Sequence, residues 1–369
     1  MNLDRRPLRL LVAALLLAGL TATTIPAVAA PAPERSVSAA NRQATATART
    51  FDHPRAGIVY HALWGTHTNA ERRQMFDKLK RMHIRWVRIG LPWALVQPRK
   101  PTAADKGWSA WGLDRVDKVV RMAHKRNISV SLTFLGTPGW ANGGKGPKYL
   151  PNNPADYARA IRKMAKRYRG KVTSFEIYNE VSGGIRLKGA TIQDYKKVLC
   201  AAHAAVRKGS PRAKVLSAGT GRDAVAWVGD LYDAGAKPCF DVLAIHPYYG
   251  DHGPTWPAGK TPGWLRKTKE MRAIMRKHKD LGTPVWFTEF GWHTGSMANG
   301  VTPQQQAKYT VQMFKVTDKR LPYVQKMSPY MAQDEDAEAA SNAHYGFYTL
   351  DMKPKPVVSA LRTYLGQLS

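Results

Sequence analysis

The sequence predicts an α/β fold, a (β/α)8 TIM barrel forming one domain over residues 51–369. Three observations point there. Eight apolar runs of strand length alternate with segments of helical period along the whole stretch. The runs are nearly continuous in apolar residues, the pattern of parallel strands buried on both faces. No glycine-rich phosphate fingerprint follows the first run, which counts against the alternative, a doubly wound open sheet, in its nucleotide-binding form.

Taken in order, residues 1–29 read as a secretory signal peptide. Arg5, Arg6 and Arg9 precede an apolar run from Leu10 to Leu20, and Ala27-Val28-Ala29 is a small-residue cleavage site. The adjacent Arg5 and Arg6 also allow a twin-arginine route. Residues 30–50 are mostly Ala, Pro, Ser, Thr and Arg with no aromatic residue, and read as a disordered leader. The expected strands are Gly57 to Trp64, Ile84 to Leu91, Ile128 to Leu135, Val172 to Tyr178, Lys214 to Ala218, Phe240 to Ile245, Pro284 to Phe287 and Tyr323 to Met331. Periodic segments between them include Asn69 to Met82, Leu113 to Arg126, Pro154 to Arg169, Ile192 to Lys208, Trp264 to His278 and Pro303 to Lys319. No run approaches the roughly 20 apolar residues that cross a bilayer. The expectation is therefore an exported, monomeric protein, extracellular or associated with the cell wall.

Lys and Arg number 57 against 26 Asp and Glu, a formal charge of +31, or about +29 once the signal peptide is removed. Such a field favours polyanions: an acidic glycan, an anionic cell wall, or nucleic acid without sequence specificity. The same residues also fit a solubilising surface, since they spread over helix faces such as Arg72 to Arg81 and Arg162 to Arg169. Cys200 and Cys239 are the two cysteines, and an oxidising compartment makes a disulfide between them the expectation over two buried thiols.

Glu180 and Glu289 each close an apolar run, in Phe175-Glu176-Ile177-Tyr178-Asn179-Glu180 and in Val285-Trp286-Phe287-Thr288-Glu289. In a (β/α)8 barrel the active site is built at the carboxyl ends of the strands, and these carboxylates fall after the fourth and seventh. Two carboxylates facing each other divide the labour of cleaving a glycosidic bond, one as acid and one as nucleophile. Arg88, a cation inside the apolar run Trp86-Val87-Arg88-Ile89-Gly90, requires a partner; Glu289 and the strand-borne Glu176 are both available. No His, Cys and Asp cluster has dependable metal-ligand spacing, and no cofactor is expected.

At these residues the chain resembles the retaining glycoside hydrolases of clan A, family 39 and its bacterial exopolysaccharide-hydrolase relatives above all. The resemblance covers nearly the whole domain. It rests on Asn179-Glu180, on Thr288-Glu289-Phe290-Gly291-Trp292, on Thr137-Pro138-Gly139-Trp140-Ala141 and on His246-Pro247-Tyr248. The ending Tyr345-Gly346-Phe347-Tyr348, followed by Lys353-Pro354-Lys355-Pro356 and a last helix, adds to these. It implies an O-glycosyl hydrolase with Glu180 as general acid/base and Glu289 as nucleophile, Arg88 supporting the nucleophile, and no metal. Asn179 is placed to donate its amide to a sugar hydroxyl, and His246 and Tyr248 to orient Glu289 or touch the sugar, with His61 at the end of the first strand in a similar position. Aromatics gather on the carboxyl-end loops, and Trp140 and Trp292 are the expected sugar platforms because they adjoin the motifs. The eighth strand departs from the clan pattern: Met327-Ser328-Pro329-Tyr330-Met331 offers no tryptophan, and the acidic run Asp334-Glu335-Asp336 follows. That run reads as a solvated loop, or as a wall facing a cationic amino sugar. The alternative to an enzyme is a non-catalytic carbohydrate- or cell-wall-binding barrel.

Overall fold

Eight strands, all paired in parallel, run in the order β5-β4-β3-β2-β1-β8-β7-β6. They are β1 (Arg55–Val59), β2 (Trp86–Pro92), β3 (Ser129–Leu135), β4 (Val172–Ile177), β5 (Lys214–Leu216), β6 (Leu243–Ile245), β7 (Val285–Phe290) and β8 (Val324–Pro329). A parallel bridge from Leu216 to Val242 joins the two outermost strands, so the sheet closes into the expected barrel. The computed structural model describes residues 55–368 except 65–66, 182–187, 222–223, 258, 297 and 336–342. The expected signal peptide and leader lie outside the described residues.

Helices cover the outside: α1 (Asn69–Arg81), α2 (Trp93–Val96), α3 (Ala110–His124), α4 (Gly139–Asn142), α5 (Pro154–Arg167), α6 (Ile192–Gly209), α7 (Ala224–Asp233), α8 (Gly263–Lys277), α9 (Pro303–Arg320) and α10 (Pro356–Gly366). Their starts are chemically marked. Thr68 with Glu71, Thr191 with Asp194 and Thr302 with Gln305 form reciprocal capping boxes, and proline opens α5, α9 and α10, where its missing N–H costs nothing. Disulfide Cys200–Cys239 ties α6 to the turn before β6, with Cα atoms 4.6 Å apart. Closing a 39-residue separation contributes about 4 kcal/mol by the chain-entropy account.

Strand ends depart from the sequence reading where the site needs them to. The first run stops at Val59, and the residues after it turn, Trp64 N–H donating to His61 O at 3.0 Å. The seventh runs past Phe287 to Phe290 and so takes Glu289 into the strand. Inside the barrel the amino end is plugged by Trp86 and Trp286, ring centroids 5.7 Å apart, with the Lys326 ammonium 4.0 Å from the Trp286 ring. A layer of small side chains, Ser131, Ser174, Ser217 and Ser328, lies at an inner level of the strands and is fully buried. Small residues there leave the carboxyl end free for larger polar groups.

Candidate active site

Arg88 sits on β2 at 4 % exposure, where an unpaired cation would be very costly. Its guanidinium is spent in three directions. Nε donates to Glu176 Oε2 at 2.5 Å, Nη1 to Glu289 Oε1 at 2.6 Å and Nη2 to Asn179 Oδ1 at 2.7 Å. Both partners left open by the sequence are therefore used at once. Burial alone would loosen the Arg88 proton, but the two carboxylates outweigh it and hold the group above its ordinary value.

Glu176 on β4 is fully buried and satisfied on every side: besides Arg88 it accepts from Thr133 Oγ1 at 2.7 Å, Gly219 N–H at 3.1 Å and Thr288 Oγ1 at 3.2 Å. It is a structural anion. Four residues on, the chain leaves the strand through Tyr178 and Glu180, both in the left-handed region with φ of 64° and 46°. Each such residue costs on the order of 1 kcal/mol or more, a strain the surrounding hydrogen bonds must hold in place. The turn puts Asn179 and Glu180 on the pocket wall. With Asn179 Oδ1 engaged by Arg88, its amide N–H groups are the donors left for a ligand.

Glu289 faces Glu180 from β7. Thr288 and Glu289 are consecutive, yet both reach interior partners, Glu176 and Arg88. Strict alternation forbids that. The register of β7 against β8 shifts between Phe287 and Phe290, and this irregularity turns Glu289 inward beside Thr288. Glu289 Oε2 accepts from Tyr248 OH at 2.8 Å, so both its oxygens are held. Burial, and next the Glu289 charge, push the Tyr248 phenol far above its ordinary value, and it stays a donor.

His246, after β6, lies beneath the pair. Nδ1 is 3.0 Å from Glu180 Oε1 and 3.8 Å from Glu289 Oε2, and Nε2 is 3.0 Å from Thr288 Oγ1. Burial lowers its proton affinity, but the charge of Glu289 and the hydrogen bond to Glu180 outweigh that and raise it above 6.5. An imidazolium donating from both nitrogens leaves Thr288 O–H free to donate to Glu176, so every hydrogen in the chain has one acceptor. Glycine at 219 is required for this packing: a Cβ there would meet His246 Nε2 at 1.9 Å.

The carboxylate oxygens of Glu180 and Glu289 and a ring nitrogen of His246 all lie within 4.8 Å of one another. Among the described residues this is the one cluster with metal-ligand spacing, but the Arg88 guanidinium already occupies Glu289 and disfavours a second cation. The pocket above, about 290 Å³, is walled by Trp64, Tyr248, Tyr330 and Tyr345. His61 lines it too, stacked on Trp64 with centroids 4.7 Å apart and hydrogen-bonded to Glu335.

Two expected platforms are elsewhere. Trp292 is 3 % exposed, packs on Phe290 and Tyr309 and donates its indole N–H to His252 O at 2.8 Å. Trp140 meets Trp93 edge-on and donates to Gln97 O at 3.0 Å. Each indole fastens a βα loop instead of lining the pocket, because an indole that finds a backbone acceptor is held where that acceptor is. Tyr330, at the end of β8, supplies the aromatic wall for which the sequence offered no tryptophan. The acidic run is not a solvated loop: Asp334 is buried against the Lys355 ammonium at 2.8 Å, and Glu335 faces His61, while Asp336 lies outside the described residues.

Comparisons with known proteins agree with the barrel fold. The family model described as cellulase, glycosyl hydrolase family 5, matches residues 41–325. No curated protein matches the chain. Among solved structures, a family 39 glycoside hydrolase from the gut symbiont Bacteroides cellulosilyticus WH2 superposes with a TM-score of 0.67 at 20 % identity, over 86 % of this chain and 64 % of its own. The chain thus spans less than two thirds of that enzyme. A family 5, subfamily 18, protein from Streptomyces cattleya in complex with GlcNAc gives 0.64 at 16 % identity, over 87 % and 81 %. A monomeric beta-xylosidase from Caulobacter crescentus CB15 gives 0.62 at 17 % identity, over 87 % and 69 %. At such identities these structures speak for the fold.

Proposed function

Because the chain belongs to the cellulase family of glycosyl hydrolases, family 5, we propose that Glu289 is its nucleophile and Glu180 its general acid/base, cleaving O-glycosidic bonds of an oligosaccharide or polysaccharide. The chain is an O-glycosyl hydrolase of the retaining, clan A type. The observation that carries the residue roles is the facing pair, oxygens within 4.8 Å, held by different partners. Retention asks for carboxyl groups roughly 5 Å apart, so that one attacks the anomeric carbon while the other protonates the leaving oxygen.

The neighbours fit the two displacements. When Glu289 forms its ester with the sugar it loses its charge, and Arg88 would be left buried without an anion were Glu176 not permanently beside it. Tyr248 steadies the other oxygen of Glu289, and the Asn179 amide is within the pocket to bind a sugar hydroxyl next to the reacting carbon. After the first step Glu180 is an anion, stabilised by the hydrogen bond from His246, and takes a proton from the attacking water.

β-Glycosides are the first substrates to try, since a structurally similar protein is described as a beta-xylosidase. The formal charge of +31 supports an acidic polymer as substrate. Around the pocket, however, Glu180, Glu289 and Glu335 stand near the single arginine, which supports a neutral or amino sugar at the cleaved bond with acidic residues farther along the chain. Export completes the reading, supported by the Arg5-to-Ala29 pattern and the disulfide, and a monomer is supported by a structurally similar protein described as monomeric.

The test is chemical rescue. Glu289→Gln should abolish turnover of every aryl β-glycoside, whereas Glu180→Ala should keep glycosylation by substrates with good leaving groups and, with azide, yield a glycosyl azide of retained configuration. An azide product of inverted configuration from Glu180→Ala would reverse the two roles, and undiminished activity in both variants would remove the site altogether.

A further inference from the structure

Basic residues occupy the last turns of α1, α3, α5, α6, α8 and α9, all of which end at the amino-end face, opposite the pocket. Cations there meet the negative ends of helix dipoles, and that alone accounts for one or two per helix. It does not account for Arg169, Lys171, Arg212 and Lys214, which lie beyond the helices, in the α5–β4 and α6–β5 connections or at a strand start, and are exposed.

These connections border a recess of about 540 Å³. Arg169 and Arg212 line it over an apolar floor of Val172 and Ala213. Arg169 is fixed, its Nε and Nη2 both donating to Gly209 O at 2.8 and 2.6 Å. Nearby carboxylates are occupied by other arginines, Asp117 by Arg167 and Asp241 by Arg207. Lys171 and Lys214 are exposed next to recess-lining residues along the chain, Lys171 bordering the neighbouring recess that holds Asp117, and among the described residues no salt bridge engages Arg169, Arg212 or these two lysines. No aromatic side chain lines it, so it offers bases nothing to stack on, and what it can recognise is repeated negative charge on a flexible chain. In a glycoside hydrolase the polymer of that chemistry is a glycan.

We propose that this recess docks an anionic polysaccharide, held by Arg169 and Arg212 within it and by the exposed Lys171 and Lys214 beside it, independently of the bond cleaved in the pocket. The polymer bound here is on the face away from the carboxylates, so the recess anchors the enzyme while the pocket works on other chains or on a distant stretch.

Affinity electrophoresis of the full chain through gels containing polygalacturonate, neutral mannan or duplex DNA tests this. The variant Arg169→Gln/Lys171→Gln/Arg212→Gln/Lys214→Gln should lose at least tenfold in affinity for polygalacturonate. The slope of log Kd against log salt should fall by about three, from four neutralised cations at roughly 0.7 each. A variant of equal charge on the carboxyl-end loops, Lys100→Gln/Lys145→Gln/Lys148→Gln/Lys188→Gln, should stay within twofold of wild type, and both should keep kcat/KM on a small aryl glycoside. If the fourfold variant melts early, Lys171→Gln/Lys214→Gln, which touches no hydrogen bond described here, should lose about half the salt slope. Equal loss in the two fourfold variants would show a diffuse field and overturn the site, as would mannan bound as tightly as polygalacturonate, or tighter binding of duplex DNA at equal salt.

Discussion

The two ends of the barrel treat a buried cation in opposite ways. At the carboxyl end Arg88 meets two carboxylates and an amide, with three hydrogen bonds of 2.5 to 2.7 Å. At the amino end Lys326, 9 % exposed, lies 4.0 Å from the Trp286 ring and 5.3 Å from that of Trp86. Burial, and then the charge of Arg55, lower its pKa to about 8. A guanidinium locked into anions keeps its charge at any pH the fold survives. An ammonium resting on indole rings keeps its charge at a cost. The contrast teaches where charge is used: the matched cation is part of the machinery, and the poorly compensated one is part of a plug.

The largest effect should come from unmatching the matched end. Arg88→Met leaves Glu176 buried without a cation and should lose about 3–5 kcal/mol of stability, read by urea unfolding, along with turnover. Arg88→Met/Glu176→Gln should recover much of the stability and none of the activity. Recovery of activity as well would show that the pair is mere scaffold.

Next comes Lys326→Met. Between about pH 8 and 10.5 the unfolded chain binds a proton that the folded one does not, so wild-type stability should rise with pH across that window. The variant should lack this rise and be more stable at pH 7 by up to about 3 kcal/mol, less whatever the cation–π contacts contribute. Its kcat/KM should not move. A destabilised Lys326→Met at pH 7 would break the comparison, because the indole sandwich would then be worth more than the desolvation.

The smallest effect concerns His246, whose proton affinity is raised above 6.5. The folded state binds the proton more tightly than the unfolded one. The stability this lends is complete below pH 6.5 and fades as pH rises through the raised value. The difference in unfolding free energy between wild type and His246→Gln should therefore shrink from pH 5.5 to the alkaline side. A difference flat with pH would mean a neutral imidazole.

Much of this was legible in the sequence because it rests on local pattern. Strand and helix periods gave the barrel, and glutamates closing apolar runs gave the pair. Arg88 declared itself as a charge where none belongs, although its dual pairing required the distance between β2, β4 and β7. Trp140 and Trp292 misled for the complementary reason. Adjacency to a motif along the chain says which loop a residue belongs to, and the direction of an indole is decided by whichever carbonyl the fold brings near, Gln97 O or His252 O. Tyr330 and Trp64 reach the pocket from β8 and from the turn after β1, neighbours only once the sheet closes. Glu335 and its contact with His61 span 274 residues, and no window along the sequence contains both.

The register shift in β7 has a consequence for anyone building a hydrolase on such a barrel. Counted from Trp286 and Thr288, position 289 has the wrong parity: an unbroken strand would aim its carboxylate at the surrounding helices and leave Glu180 facing an empty wall. Copying the two glutamates onto an inert barrel would therefore reproduce the composition of the site and not its reactivity. What has to be transplanted is the odd step in the backbone, one residue of slippage that converts a packed strand into one that bears a nucleophile.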